Sequence, residues 1–161
     1  MILYLDASAI VKQYTGERGS REVETVLSQA ESIATALISR AEVAAALANA
    51  VRLKMLAADA GARATHVFRS DWLALVRVPI TESLVARADT LAWEHGLRGS
   101  DAVHLATALS WREAMGGQVT LATFDRDLWL AARRAGLVAW PDDLPALLAQ
   151  WQGNVEKEDI E

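Results

Sequence analysis

Short apolar runs alternate with longer stretches of helical period along this chain, and that alternation limits its fold class more than any other feature. Segments 2–5, 32–37, 76–80, 118–122 and 137–140 are too short for stable helices and rich in apolar side chains, as buried strands are. Between them, segments 7–14, 20–30, 40–56, 59–75, 81–95, 100–115, 125–135 and 142–151 read as helices. Glycines at 16, 96, 99, 116, 117 and 136 punctuate their ends, and Gly61 is a weak point inside one of them. Strands separated by helices predict an α/β layer built on a mostly parallel sheet. With 161 residues the chain suits one core, so 1–152 is expected to form a single domain and the charged segment 153–161 a frayed tail.

Composition narrows the function classes. Apolar residues make up 52% of the chain, enough for a well-buried core, and much of that share is alanine, which favours helix. The chain has no cysteine, so disulfides and thiolate zinc sites are excluded and a reducing, cytoplasmic compartment is expected. The start, Met1-Ile2-Leu3-Tyr4-Leu5-Asp6, lacks a basic region and reaches an acid too early for a secretion signal. No apolar run approaches the roughly 18 residues of a membrane span. A net charge of −5 argues against a broad electrostatic grip on nucleic acid, leaving room only for a local basic patch.

Four acids, Asp6, Glu42, Asp101 and Asp125, stand among apolar residues where helices are about to begin. Each has an ordinary explanation. Asp6 and Asp125 fit helix N-caps. Ser39-Arg40-Ala41-Glu42 fits a capping box, in which the glutamate reaches back to the cap N–H. Asp101 can simply favour the positive end of a helix dipole. Together they say more. Ligand sites of parallel α/β sheets lie outside the carboxyl ends of the strands, where helix N-termini also point, so one fold can gather all four. Clustered carboxylates repel unless a cation joins them. Hard oxygen donors without cysteine select Mg²⁺ or Mn²⁺ over zinc, and such an ion assists attack on a phosphodiester.

The stretches that carry these acids resemble the PIN-domain ribonucleases, in particular the VapC-type toxins of bacterial and archaeal toxin–antitoxin pairs. They are Leu5-Asp6-Ala7-Ser8-Ala9-Ile10, Ser39-Arg40-Ala41-Glu42, Ser100-Asp101-Ala102-Val103-His104-Leu105-Ala106-Thr107-Ala108 and Thr123-Phe124-Asp125-Arg126-Asp127-Leu128. Their order and spacing carry the likeness more than any one of them. The resemblance implies a PIN-like three-layer α/β/α fold with a short, mostly parallel central sheet. It also implies Mg²⁺- or Mn²⁺-dependent cleavage of RNA, a homodimer and a cognate antitoxin. By position, Asp6 and Asp101 would be the most direct metal ligands, with Glu42 and Asp125 completing the site directly or through water. The expected reaction is in-line attack by a metal-activated water, leaving a 5′-phosphate. Ser8 and Thr123 match hydroxyl positions lining the site, although the hydroxyl usual just after the first aspartate stands one residue later here, position 7 being Ala. Asp127 matches an acid that only some members carry.

Other residues have competing roles. His66, His95 and His104 lack metal-ligand spacing; His104 shares a helix face with Asp101, and packing is its stronger reading. Lys12, Arg40, Arg98 and Arg126 are candidate phosphate contacts, though each alone reads as a solvated cation. Trp72, Trp93, Trp111, Trp129, Trp140 and Trp151 are dispersed as core and interface residues are, rather than as a base-stacking platform. The helix near 41–56 has apolar residues on more than one face, which a dimer partner or an antitoxin helix would cover. A haloacid-dehalogenase-type phosphatase would need an acid at position 8, and a receiver domain paired acids near its start; both are missing. The remaining rival is a catalytically silent PIN-like module that only binds.

Overall fold

The computed structural model describes residues 1–158, with side chains to 153. Five strands form one sheet: β1 (Ile2–Leu5), β2 (Ser32–Ala36), β3 (Val76–Val78), β4 (Val119–Ala122) and β5 (Val138–Trp140). Their order is β3-β2-β1-β4-β5, and every neighbouring pair is parallel. Parallel strands need crossovers. Seven helices supply them, α1 (Ala7–Thr15), α2 (Ser20–Ser28), α3 (Ser39–Arg52), α4 (Ala58–Asp71), α5 (Glu82–His95), α6 (Gly99–Met115) and α7 (Arg126–Arg134), and α8 (Leu144–Glu158) follows the last strand. The charged tail expected from 153 falls partly on the end of α8, and residues 159–161 lie outside the described residues.

Alternation along β1 separates two cores. Leu3 and Leu5 pack with Ala9, Ile10, Val43, Leu47, Phe68 and Trp72 on one face of the sheet. Tyr4 packs with Ala34, Leu91, Leu105, Leu121, Leu128 and Trp129 on the other. A sheet buried on both faces explains why its strands are runs of apolar residues rather than alternating ones. The architecture is therefore the expected three-layer α/β/α arrangement.

Two helices are shorter than their sequence patterns suggest. α3 stops at Arg52, and Lys54 takes a left-handed φ of 60°, so Leu53 and Met55 leave the helix and stand 54% and 79% exposed. α4 tightens into a 3₁₀ turn at Trp72–Ala74. The glycine at 61 lies within α4, facing Val51 of α3. The tryptophans divide: Trp72 and Trp129 are buried, Trp140 and Trp151 pack on Phe124, and Trp93 is 91% exposed on α5. No helix among the described residues is long and apolar enough to cross a membrane.

Candidate active site

The strand order reverses at β1, which has β2 on one side and β4 on the other. In an open parallel sheet this switch point leaves a crevice at the carboxyl ends of the strands. Asp6 directly follows β1, and Asp125 follows β4 by three residues. The ladder continues past the strand ends, with the Asp6 N–H donating to Ala122 O at 3.2 Å. Two of the acids thus come together because their strands are neighbours.

Asp6 is 4% exposed and held from several directions. It caps α1 by accepting the Ala9 N–H at 2.9 Å. The Ser8 hydroxyl donates to its two oxygens at 2.7 and 2.9 Å, and the Thr123 hydroxyl to Oδ2 at 2.8 Å. Those hydroxyls also accept: Ser8 from the Phe124 N–H at 2.8 Å, Thr123 from the Asp125 N–H at 3.0 Å. Ser8 and Thr123 therefore stitch the ends of β1 and β4 around one carboxylate. Burial pushes that carboxyl up, against the charge of His104 and the hydrogen bonds it receives.

Asp125 caps α7, accepting the Asp127 and Leu128 N–H groups on Oδ1 at 2.9 Å. Its other oxygen accepts from Arg98 Nη2 at 2.7 Å. Asp101, in the first turn of α6 and 6% exposed, accepts from Arg98 Nε at 2.7 Å. Desolvation pushes Asp101 up, Arg98 pulls it down and the nearby charge of Asp125 raises it again. Asp127 contributes its N–H; it is exposed.

Glu42 does not close a capping box. α3 begins at Ser39 with Ile38 as its cap residue, and the Ser39 hydroxyl pairs with Thr35 Oγ1 at 2.7 Å. Thr35 in turn donates to Leu5 O at 2.7 Å, satisfying a carbonyl at the end of β1. Glu42 is left to face His104, whose Nε2 lies 2.7 Å from its Oε2. The other ring nitrogen is 2.9 Å from the hydroxyl of buried Tyr4, and a protonated ring donates to both. Burial alone would lower the His104 pKa, but the Glu42 hydrogen bond and the charges of Asp6, Glu42 and Asp101 outweigh it and raise it. A proton on this ring is thus held between Glu42 and the Tyr4 hydroxyl.

The chain thus carries two basic groups of its own at the acids, Arg98 and His104. Among the described residues no three acids or histidines stand close enough to share a metal as they rest. The donor set, four carboxylates and no thiolate, nevertheless fits a hard divalent ion in kind; Glu42, Asp101 and Asp125 have lone pairs beyond those engaged, and on Asp6 an ion would take the place of a Ser8 or Thr123 hydroxyl. The other candidate cations differ. Lys12 is buried, donating to Arg18 O at 2.7 Å, pairing with Glu17 at 3.2 Å and lying 4.6 Å from the Phe124 ring centre, so it holds loop and ring rather than a phosphate. Arg40 lies 6.0 Å from the Trp72 ring, and Arg126 is exposed beside Asp125. Sequence reasoning missed the Arg98 bridge and the Tyr4–His104–Glu42 chain. The available signal was spacing: Arg98, Asp101 and His104 recur every three residues. A groove of about 670 Å³ between α3 and α4, lined by Leu47, Val51 and Thr65, includes none of the four acids.

Comparison with known proteins places these features in a family. The PIN domain model matches residues 3–134. A ribonuclease VapC45 of Mycobacterium tuberculosis is 36% identical over 144 residues, covering 89% of this chain and 97% of that one. A ribonuclease VapC3 of Pyrobaculum aerophilum is 32% identical over 130 residues, covering 80% and 92%. The fold is shared with a chain of a toxin–antitoxin complex from Klebsiella pneumoniae, with a TM-score of 0.57 at 22% identity over 79% of this chain and 89% of that one.

Proposed function

Since the chain belongs to the PIN-domain family, we propose that it is a divalent-metal-dependent endoribonuclease acting as the toxin of a toxin–antitoxin pair. Residues 1–152 serve as its single nuclease domain, with Asp6, Glu42, Asp101 and Asp125 as the catalytic acids. The observation that carries this reading is the convergence of carboxylates from separate segments at the sheet's switch point, one of them buried and cross-braced by two hydroxyls. The ribonuclease names of relatives that match along most of their length support it.

Each residue has a part. Asp6 is the fixed point, its rotamer locked by Ser8, Thr123 and the N-terminus of α1. Asp101 shares the crevice from the start of α6, and Asp125 from that of α7. His104 orients Glu42 for the site. A Mg²⁺ or Mn²⁺ ion held by Asp6 and Asp101, with Glu42 and Asp125 directly or through water, would supply an acidified water and offset the charge that builds on the phosphodiester. Arg126, exposed beside the acids, suits a phosphate on a chain of net charge −5. The exposed Val85 and Trp93 of α5 suit a homodimer contact. The setting is the cytoplasm, with RNA as substrate and a cognate antitoxin protein as inhibitor.

One observation favours a second reading, a silent binding module: Arg98 already pairs with Asp101 and Asp125, and His104 faces Glu42. Incubating the purified protein with RNA in Mn²⁺, Mg²⁺ or EDTA and mapping the new ends separates the two. The nuclease reading expects metal-dependent cuts that Asp101→Asn abolishes. RNA left intact by the wild type in both metals would sink it and leave the binding module standing.

A further inference from the structure

Arg98 is an exposed residue that is nonetheless fastened to the acidic site. Its side chain is 73% exposed, yet Nε meets Asp101 Oδ2 and Nη2 meets Asp125 Oδ2, both at 2.7 Å. The two carboxylates head different helices and are only 9% and 24% exposed. A single exposed ion pair is worth little against the rotamer freedom it removes. Two pairs on one planar guanidinium hold far better, because one ordering cost serves both. The backbone is arranged for it. Gly96, at a φ of 67°, turns the chain out of α5; buried Leu97 anchors the connection; Arg98 itself is the extended cap residue of α6. A Cβ at Gly96 or Gly99 would meet nothing within 4 Å, so the turn is open on both sides of the arginine.

The oxygens that Arg98 holds are among those a metal would take. A guanidinium and a divalent ion also repel each other at such range. Resting on the nuclease reading above, we propose that Arg98 is the resident counter-ion of the acidic site, displaced from Asp101 and Asp125 when a divalent cation binds. The arginine keeps the carboxylates from repelling one another in the metal-free protein. It also sets a threshold: the ion must outcompete a cation tethered to the same helix as Asp101. The side chain's exposure gives it room to swing into water when displaced.

Metal affinity measured without RNA tests this. Mn²⁺ is titrated into the wild type, Arg98→Gln, Arg98→Lys and Asp101→Asn, with free ion read by electron paramagnetic resonance and folding checked by melting. Arg98→Gln is expected to bind Mn²⁺ about tenfold more tightly than the wild type, the scale of two exposed ion pairs. Arg98→Lys keeps the charge without the fork and should fall between. Equal or weaker binding by Arg98→Gln overturns the displacement. If Asp101→Asn then still abolishes binding, the metal site itself stands. Absence of Mn²⁺ binding in both the wild type and Arg98→Gln overturns displacement and metal site together.

Discussion

At the scale of single residues, the acids differ in what they do for the fold. Asp6 is both a helix cap and a buried charge, and the two roles separate on substitution. Asn caps a helix as well as Asp does, and its carbonyl can keep the Ala9 N–H while Ser8 and Thr123 rotate their hydroxyls. Asp6→Asn should therefore stay within about 1 kcal/mol of the wild type in urea denaturation while losing RNA cleavage. His104→Ala should do the reverse damage first. It strands the Tyr4 hydroxyl and Glu42 and opens a cavity, at a cost of about 3 kcal/mol; a loss below about 1 kcal/mol would mean that water replaces the ring. The pH response follows from the same groups. Burial raises Asp6 and Asp101, so the folded state binds their protons more tightly and gains stability as pH falls through their folded pKa values toward the ordinary 3.8. His104 is also raised, so its contribution is complete below the ordinary 6.5 and is lost as pH climbs through the folded value. Both trends have one sign. Groups held low, such as Glu113 beside Arg87, act below their ordinary 4.5 and leave the neutral range alone. The metal-free protein should melt at progressively lower temperature as pH rises above the ordinary 6.5. A melting temperature that rises with pH there contradicts a charged His104.

At the scale of elements, the site is assembled from helix beginnings. Asp6 and Asp125 were legible because an acid between an apolar strand and a helix is a strong local pattern, and the cap and the site need the same position. Glu42 was legible as an acid but not in its bonding. Ser39 matches a capping box in sequence, yet its hydroxyl turns to Thr35 four residues back, and the glutamate turns to a histidine 62 residues away. No local pattern contains that partner. Gly61 shows the same limit. In sequence it is a poor helix former inside α4; in the fold it is a notch, because a Cβ there would lie 2.3 Å from Val51 Cγ2 of α3. Alanine's better helix propensity, worth up to about 1 kcal/mol, must then compete with overpacking against a β-branched side chain, about 1–3 kcal/mol. Gly61→Ala should come out net destabilising by about 1 kcal/mol, read from the denaturation midpoint, and Val51→Ala should rescue it. A stabilised Gly61→Ala would show that α3 and α4 separate freely.

At the scale of the whole molecule, layers were legible and strand order was not. Apolar runs spaced by helices dictate a parallel sheet, because each chain reversal is already used by a helix. Nothing in a run of apolar residues says which neighbour it takes, and the pairing of β1 with β4 rather than β2 alone is what brings residue 6 beside residue 123. The same placement corrects the argument from repulsion. Clustered carboxylates require a cation, but the chain supplies Arg98 to two of them and sets His104 against a third, so the fold can form without metal and an added ion must do more than cancel charge. Thermal unfolding decides whether it does. An ion present at about a hundred times its Kd stabilises the folded state by about 2.7 kcal/mol, and a domain of this size gains about 2–4 °C per kcal/mol. Mn²⁺ should therefore raise the melting temperature of the wild type by roughly 5–10 °C over EDTA. Asp6→Asn and Asp101→Asn, each lacking one of the two most direct ligands, should show little of that rise. Equal shifts in all three proteins would place the ion elsewhere. No shift in any of them, at saturating Mn²⁺, is what a silent module with Arg98 and His104 already paired to its acids would give.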